Sequence, residues 1–264
     1  MRFSKQLGQV FLKNKTYLKK IASFLEIDKE DVVEIGSGRG ELTQFLLCAK
    51  SVACVELDPR LIQILKDKFS LFPQVRIISK DILKLNLKEI GKNLVVVGNI
   101  PFFISNSLIR YLIENRRLIK KAFLTFQKEF AEKLVAKPKD KNYSFLSCYI
   151  QYYAQVEILF TIPKTAFSPP PEVDASFVRL IFFKEPRYKV EDEDFFFRLI
   201  RKVFSQRRKK IINVLGDKKE LISVLEEVGI NKDIRGDALS IKEYARVVNC
   251  LVKRKYSLKR TKKR

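Results

Sequence analysis

The chain has 264 residues, 46% of them hydrophobic and 31% charged, which excludes an intrinsically disordered polymer and suits one full catalytic core with a smaller appended domain. Its 53 Lys and Arg against 30 Asp and Glu leave a formal charge of +23, which favours a polyanionic partner, nucleic acid first, because each neutralised phosphate releases condensed counterions. Histidine is absent, which excludes His general bases, Ser-His-Asp triads and His-ligated metals, and the scattered Cys48, Cys54, Cys148 and Cys250 contain no C-x-x-C pair and read as reduced structural thiols.

Residues 1–16 form a basic, polar segment around Gly8, after which Tyr17, Ile21, Phe24 and Leu25 recur at helical spacing and predict a leading helix. Strand-like runs follow at 32–35, 52–57, 75–78, 94–97 and 122–126, separated by helix-compatible stretches. That alternation predicts a doubly wound α/β fold with a parallel sheet covered on both faces. The β-branched and aromatic runs 156–160 and 177–183, joined by a proline-rich loop, are expected to complete the sheet as an antiparallel edge pair. The character changes after Phe183. Helical segments are predicted at 195–204, 209–215, 220–228 and 241–252, so the boundaries are set at 1–186 for the α/β domain, 187–252 for a small helical domain and 253–264 for a mobile basic tail with eight Lys or Arg in twelve residues.

Glu34-Ile35-Gly36-Ser37-Gly38-Arg39-Gly40 stands where the first of these strands turns into a predicted helix, and its glycines allow a sharp turn and close backbone approach to a ligand. Twenty residues beyond Gly36, Glu56 ends the next strand, where a carboxylate accepts both hydroxyls of a ribose. The G-x-G-x-G spacing behind an acidic residue differs from the G-x-G-x-x-G of NAD sites and favours S-adenosylmethionine. Asp81, after the third strand, is positioned to accept from an adenine amine, with Ile82 or Leu57 packing on the ring.

Asn99-Ile100-Pro101-Phe102 follows the strand-like run ending at Gly98. An exocyclic adenine amine is a poor nucleophile because its lone pair is delocalised, so a catalyst has to hold it close to the methyl donor and favour a more tetrahedral nitrogen. The side-chain oxygen of Asn99 and the carbonyl of Ile100 suit the two amine hydrogens, Pro101 fixes the turn, and Phe102 offers a ring to stack on the base. Such stacking contributes about 1–3 kcal/mol per base and helps to hold a nucleotide extruded from its strand.

These segments, together with Gly8-Gln9-Val10-Phe11-Leu12, Val55-Glu56-Leu57-Asp58, Ile104-Ser105, Gln127-Lys128-Glu129 and Phe167-Ser168-Pro169-Pro170-Pro171-Glu172-Val173-Asp174, resemble the ribosomal RNA adenine N6-dimethyltransferases in order and spacing over most of the chain. Phe204-Ser205-Gln206-Arg207-Arg208-Lys209-Lys210 and the stretch around Ala238-Leu239-Ser240 look like the C-terminal domain of the small-subunit KsgA branch. The resemblance implies a Rossmann-like class I methyltransferase with a small helical domain. It implies that two adjacent adenosines in the 3′-terminal hairpin loop of small-subunit rRNA are dimethylated from S-adenosylmethionine during ribosome biogenesis. It would set cofactor contacts at Val10, Leu12, Gly36, Glu56, Asp81 and Asn99, and would have Phe167 line the target-base pocket with Phe102. The alternatives are a large-subunit methylase of the macrolide-resistance type and a non-catalytic assembly or transcription factor.

Three positions depart from the family pattern. Val10 replaces the usual Asn, so any cofactor contact there must come from backbone. Phe102-Phe103 replaces Tyr-Asn, which keeps the stacking face and removes a phenolic hydroxyl and an amide. Arg201, Lys202, Arg207, Arg208, Lys209 and Lys210, interleaved with apolar residues, are the expected RNA-backbone contacts, and Lys137, Lys139 and Lys141 form a second basic loop. No stretch approaches the roughly 20 apolar residues of a bilayer span, and no signal-peptide core opens the sequence, so a cytoplasmic monomer acting on rRNA in a pre-ribosomal particle, with no membrane partner, is the expectation.

Overall fold

The computed structural model describes residues 10–215 and 218–261, the side chains of Lys218 and of residues 255–261 excepted. The N-terminal Gly8 and Gln9 of the first motif lie outside the described residues, as do 262–264 at the end of the basic tail. Two compact units divide the chain. The first takes in residues up to Glu132 and Ala154–Lys184; the second takes Lys133–Tyr153 and the remainder from Glu185. Residues 133–153, expected within the α/β domain, therefore belong with the helical unit. Their attachment is polar: the buried Tyr143 hydroxyl donates to the Leu239 carbonyl at 3.0 Å, and the Lys139 amide donates to the Asp237 carbonyl at 2.9 Å.

In the first unit, β1 (Phe11–Leu12) leads into helix α1 (Lys15–Phe24), capped by the Asn14 side chain. The strands β2 (Asp31–Ile35), β3 (Ser51–Glu56), β4 (Val75–Ser79), β5 (Leu94–Asn99) and β6 (Ile119–Gln127) run parallel, while β7 (Ala154–Ile162) and β9 (Ala175–Phe182) close one side antiparallel. The sheet order is β4-β3-β2-β5-β6-β9-β7, and the two-residue β8 (Phe167–Ser168) pairs with β1 outside it. Val32, Val33, Val52, Cys54, Val95 and Val97 are fully or almost fully buried, as continuous apolar runs covered on both faces require. Helices α2 (Pro59–Phe69) and α3 (Ser105–Glu114) pack on the sheet through Leu61, Leu65, Leu108 and Leu112.

The predicted helix after the glycine loop is replaced by a 3-10 turn at Thr43–Phe45. An antiparallel bridge between Asp28 and Ala49 draws the chain back to the sheet before a longer helix can extend.

Helix α4 (Lys128–Val135) follows β6, and the second unit contains α5 (Phe145–Tyr153), α6 (Glu193–Ser205), α7 (Lys218–Glu227) and α8 (Ile241–Thr261). The predicted helix over 209–215 is only a 3-10 turn at Ile211–Asn213, because Lys210 bridges Arg235 and the Ile211 amide donates to the Ile234 carbonyl. Helix α8 continues well past the expected end near Val252. No Gly or Pro interrupts it, and Arg254 anchors its middle to Glu227 of α7 at 2.6 Å.

Candidate active site

Strand order reverses between β2 and β5. Chain order moves from β2 outward through β3 to β4 and then returns to β5 on the other side of β2. At such a switch point the loops leaving the carboxyl ends diverge and open a crevice. A cleft of ≈ 290 Å³ lies there, lined by residues that follow four neighbouring strands: Gly36 after β2, Glu56 at the end of β3, Asp81 after β4 and Asn99 at the end of β5.

Gly36, Gly38 and Gly40 all have positive φ, between 60° and 79°, so this loop requires glycine at alternate positions. The Glu56 carboxylate holds the loop from β3. Its Oε2 accepts from the Gly38 amide at 2.9 Å, and its Oε1 accepts from the amides of Leu57 and Asp58 at 2.8 and 3.0 Å. With three fixed donors on two oxygens, the carboxylate is oriented and still has lone pairs for hydroxyl donors in the cleft. Asp81 accepts from the Leu83 amide at 3.0 Å, capping the 3-10 turn Ile82–Lys84 at the cleft wall. Ile82 and Leu57 give the wall apolar surface on either side of these carboxylates.

Asn99 Nδ2 donates to the Val10 carbonyl at 2.8 Å, which assigns the amide orientation and leaves Oδ1 as the acceptor. Val10 thus contributes through its backbone. Pro101, at φ −57°, precedes the 3-10 turn Phe102–Ile104; the Ser105 hydroxyl donates to the Phe102 carbonyl at 2.9 Å and fixes the turn. Phe102 and Phe103 both line the cleft, with Phe102 partly packed on the core and Phe103 66% exposed.

Behind the glycine loop, Glu34 is almost fully buried. It accepts from the Thr43 hydroxyl at 2.6 Å, and the Cys54 thiol lies 3.6 Å away. Burial raises its carboxyl to about 7, against the lowering effect of the Thr43 hydrogen bond, and pushes the Cys54 thiol up as well.

Two of the expected site residues do not line this cleft, although Leu12 borders a smaller cavity with Gly36, Gly38 and Asn99. Phe167 is 4% exposed and packs in the sheet core with Leu12, its partner across β1 and β8; neither side chain lines the cleft. The β1–β8 pairing turns both side chains inward, a long-range register that local composition does not encode. Phe11, the residue between Val10 and Leu12, lines the cleft instead, beneath the Arg39 guanidinium at 5.5 Å, and Lys80, Leu83 and Ile104 join it. Alternation along a short extended segment is the sequence signal that points to Phe11.

In the second unit, Arg207 is withdrawn from the expected phosphate-facing set. Its Nε contacts Asp237 at 3.0 Å, and its two terminal nitrogens donate to the carbonyls of Lys141 and Asp140 at 2.5 and 2.7 Å. Asp237 is buried and also accepts from Arg235 at 2.7 Å. Lys210 pairs with Asp233 at 2.8 Å, and Arg201 lies over the Phe145 ring at 4.8 Å. Arg208 and Lys209 are exposed and, among the described residues, face no carboxylate within ion-pair distance.

A switch-point cleft with a left-handed glycine loop, a ribose-positioned carboxylate and a strand-end Asn defines a class I S-adenosylmethionine-dependent methyltransferase. The model of the family "Ribosomal RNA adenine dimethylase" matches residues 1–253, and the chain belongs to that family. It is 39% identical to the ribosomal RNA small subunit methyltransferase A of Bacillus cytotoxicus, over 96% of this chain and 92% of that one. It is 40% identical to the protein of the same name from a Geobacillus species, over 94% and 91%. The crystal structure of a dimethyladenosine transferase from Plasmodium falciparum superposes with a TM-score of 0.81 at 29% identity, covering 93% of this chain and 98% of that one. The 23S rRNA methyltransferase ErmE superposes at 0.74 with 24% identity over 92% and 99%, a likeness of fold alone. Among the described residues no helix is long and apolar enough to cross a membrane.

Proposed function

We propose that this chain dimethylates the N6 amines of two adjacent adenosines in the 3′-terminal hairpin loop of small-subunit rRNA, acting as a cytoplasmic monomer on a pre-ribosomal particle. The observation that carries the reading is the convergence of Gly36, Glu56, Asp81 and Asn99 on one cleft that Phe102 and Phe103 also line. Relatives 39–40% identical over nearly the whole chain bear the small-subunit name, which supports this target over a large-subunit one.

The residues present fit S-adenosylmethionine. The left-handed Gly36 opens the floor of the cleft, the oriented Glu56 carboxylate suits ribose hydroxyls, and Asp81 beside apolar Ile82 suits an adenine edge and face. Backbone at Val10 completes the set; Leu12, whose side chain is buried, has only its main chain to offer. The cofactor supplies an electrophilic methyl group on a sulfonium sulfur.

The chain's own residues do the positioning. Asn99 Oδ1, fixed by the Val10 carbonyl behind it, accepts one amine hydrogen, and the Ile100 carbonyl accepts the other. Two acceptors on the hydrogens turn the lone pair toward the methyl and favour a tetrahedral nitrogen, with no strong base required. Pro101 sets the direction of that carbonyl, and Phe102 stacks on the base. In the second unit, Arg201, Arg208, Lys209 and Lys210 meet the RNA backbone, and Arg207 acts by shaping the Lys137–Lys141 loop beside them.

Incubation with labelled S-adenosylmethionine and small subunits from a strain lacking this modification tests the reading, with mass spectrometry of the rRNA 3′ end as readout. Two adjacent dimethyladenosines are expected. No incorporation at any salt concentration, or modification mapped to large-subunit rRNA, would overturn it.

A further inference from the structure

The 3-10 turn at the mouth of the cleft carries two consecutive phenylalanines with opposite environments. With three residues per turn, successive side chains point about 120° apart. The turn is fixed by the Ile104 amide on the Pro101 carbonyl at 3.1 Å and by the Ser105 hydroxyl on the Phe102 carbonyl at 2.9 Å. Phe102 therefore leans on the core, and Phe103 is held out with 66% of its surface exposed. The only other phenylalanine exposed among the described residues is Phe72, at 36%, and it packs edge-on against Phe69, away from the cleft. A rigidly presented, solvated ring has nothing to gain in the free protein, since its apolar face remains in water.

We propose that Phe103 is a second base-stacking site, which holds the nucleobase adjacent to the one entering the cleft. The inference rests on the reading of the cleft as an adenine methylation site. Extruding one adenosine removes a stacking partner from its neighbour, a loss of the kind that base-flipping enzymes must offset. Phe103 lies one residue from the Phe102 platform, on the same turn and at the same rim, and so replaces that partner. The site takes any planar base, because stacking on an aromatic face is tolerant of sequence.

The test uses the full chain with S-adenosylhomocysteine and an RNA hairpin carrying 2-aminopurine at one of two adjacent adenosine positions, then at the other, alongside steady-state methylation of unmodified small subunits. In the wild type, quenching is expected at both positions. Phe103→Ala and Phe103→Leu should lose quenching at the neighbour position, keep it at the target position and raise KM for RNA about 5- to 150-fold with a smaller change in kcat. Phe103→Tyr should restore both signals. Equal quenching and equal KM in Phe103→Ala and the wild type would overturn the second site while leaving the cleft's function intact. Failure of the wild type to methylate small subunits would overturn both.

Discussion

Asn99 Nδ2 and the Val10 carbonyl meet at 2.8 Å although 89 residues separate them in sequence. The contact decides which atom of the amide faces the cleft. It also explains how the chain tolerates Val at position 10: the group that Asn99 uses is backbone, which any residue supplies. Val10→Ala is therefore expected to leave kcat and cofactor affinity near wild type. Asn99→Ala removes an acceptor aimed at the reacting amine and should lower kcat by about 10²- to 10³-fold. Single-turnover methylation with cofactor binding by calorimetry separates the two effects. An Asn99→Ala variant with wild-type turnover would remove Asn99 from the mechanism.

The two arginines at 207 and 208 should behave oppositely. Arg207 ties buried Asp237 to the carbonyls of Asp140 and Lys141, so Arg207→Ala takes from a buried carboxylate one of the two arginines that pair with it and should cost about 1–3 kcal/mol of stability. Arg208 is exposed and should leave stability unchanged. Its replacement by Ala should reduce the slope of log K against log salt for RNA by about one charge, slightly under one unit on duplex RNA treated like B-DNA. Urea midpoints and salt titrations of RNA affinity check both expectations. A stable Arg207→Ala protein with the shallower slope would reverse the assignment.

That pair also marks where the sequence stops being readable. Strands β2, β3 and β5 were legible because β-branched runs buried on both faces leave an uninterrupted apolar signature, and Glu56, Asp81 and Asn99 were legible because each stands at or just past the carboxyl end of a strand-like run. Arg207 was not, since its acceptor Asp237 lies 30 residues on and a basic run looks the same whether it faces phosphate or a buried carboxylate. Phe167 and Leu12 turn inward only through the pairing of two-residue strands that are far apart in the chain. The turn at Ile211–Asn213 has a helical composition overridden by its bridge to Arg235.

Glu34 should give the protein a pH-dependent stability of unusual sign. Its carboxyl is raised from an ordinary value of 4.5 to about 7, chiefly by burial, so the folded state holds a proton that the unfolded chain has released. Stability from this group is greatest below pH 4.5, falls as pH rises between 4.5 and 7, and is fully lost above, a change of about 3 kcal/mol. Glu34→Gln keeps an oxygen for the Thr43 hydroxyl and removes the titration. Denaturant midpoints of the wild type should therefore decline relative to Glu34→Gln from pH 5 to pH 7.5. Parallel curves would show that Glu34 is ionised throughout.

Phe102 carries a ring and no hydroxyl. If stacking is its contribution, Phe102→Tyr changes kcat only modestly and Phe102→Ala lowers kcat/KM about 5- to 150-fold, in line with one lost base stack. A large gain in kcat for Phe102→Tyr would mean that the hydroxyl does more than the ring.

Gly98 links sheet packing to the chemistry one residue later. It pairs with Ile35 where β2 and β5 run side by side, and a Cβ at position 98 would stand 2.6 Å from the Ile35 carbonyl oxygen and 3.0 Å from Ile100 Cδ1. The first of these neighbours is backbone within a ladder and cannot rotate away. Gly98→Ala therefore has to push β5 from β2, at about 1–3 kcal/mol, and the displacement passes directly to Asn99. The expected variant is folded, less stable in urea and reduced in kcat well beyond what the stability loss explains at 25 °C, because sub-ångström placement of the Asn99 acceptor is what the site contributes. Lower stability with undiminished kcat would show that Asn99 is held by the Val10 carbonyl alone, independently of the strand that carries it.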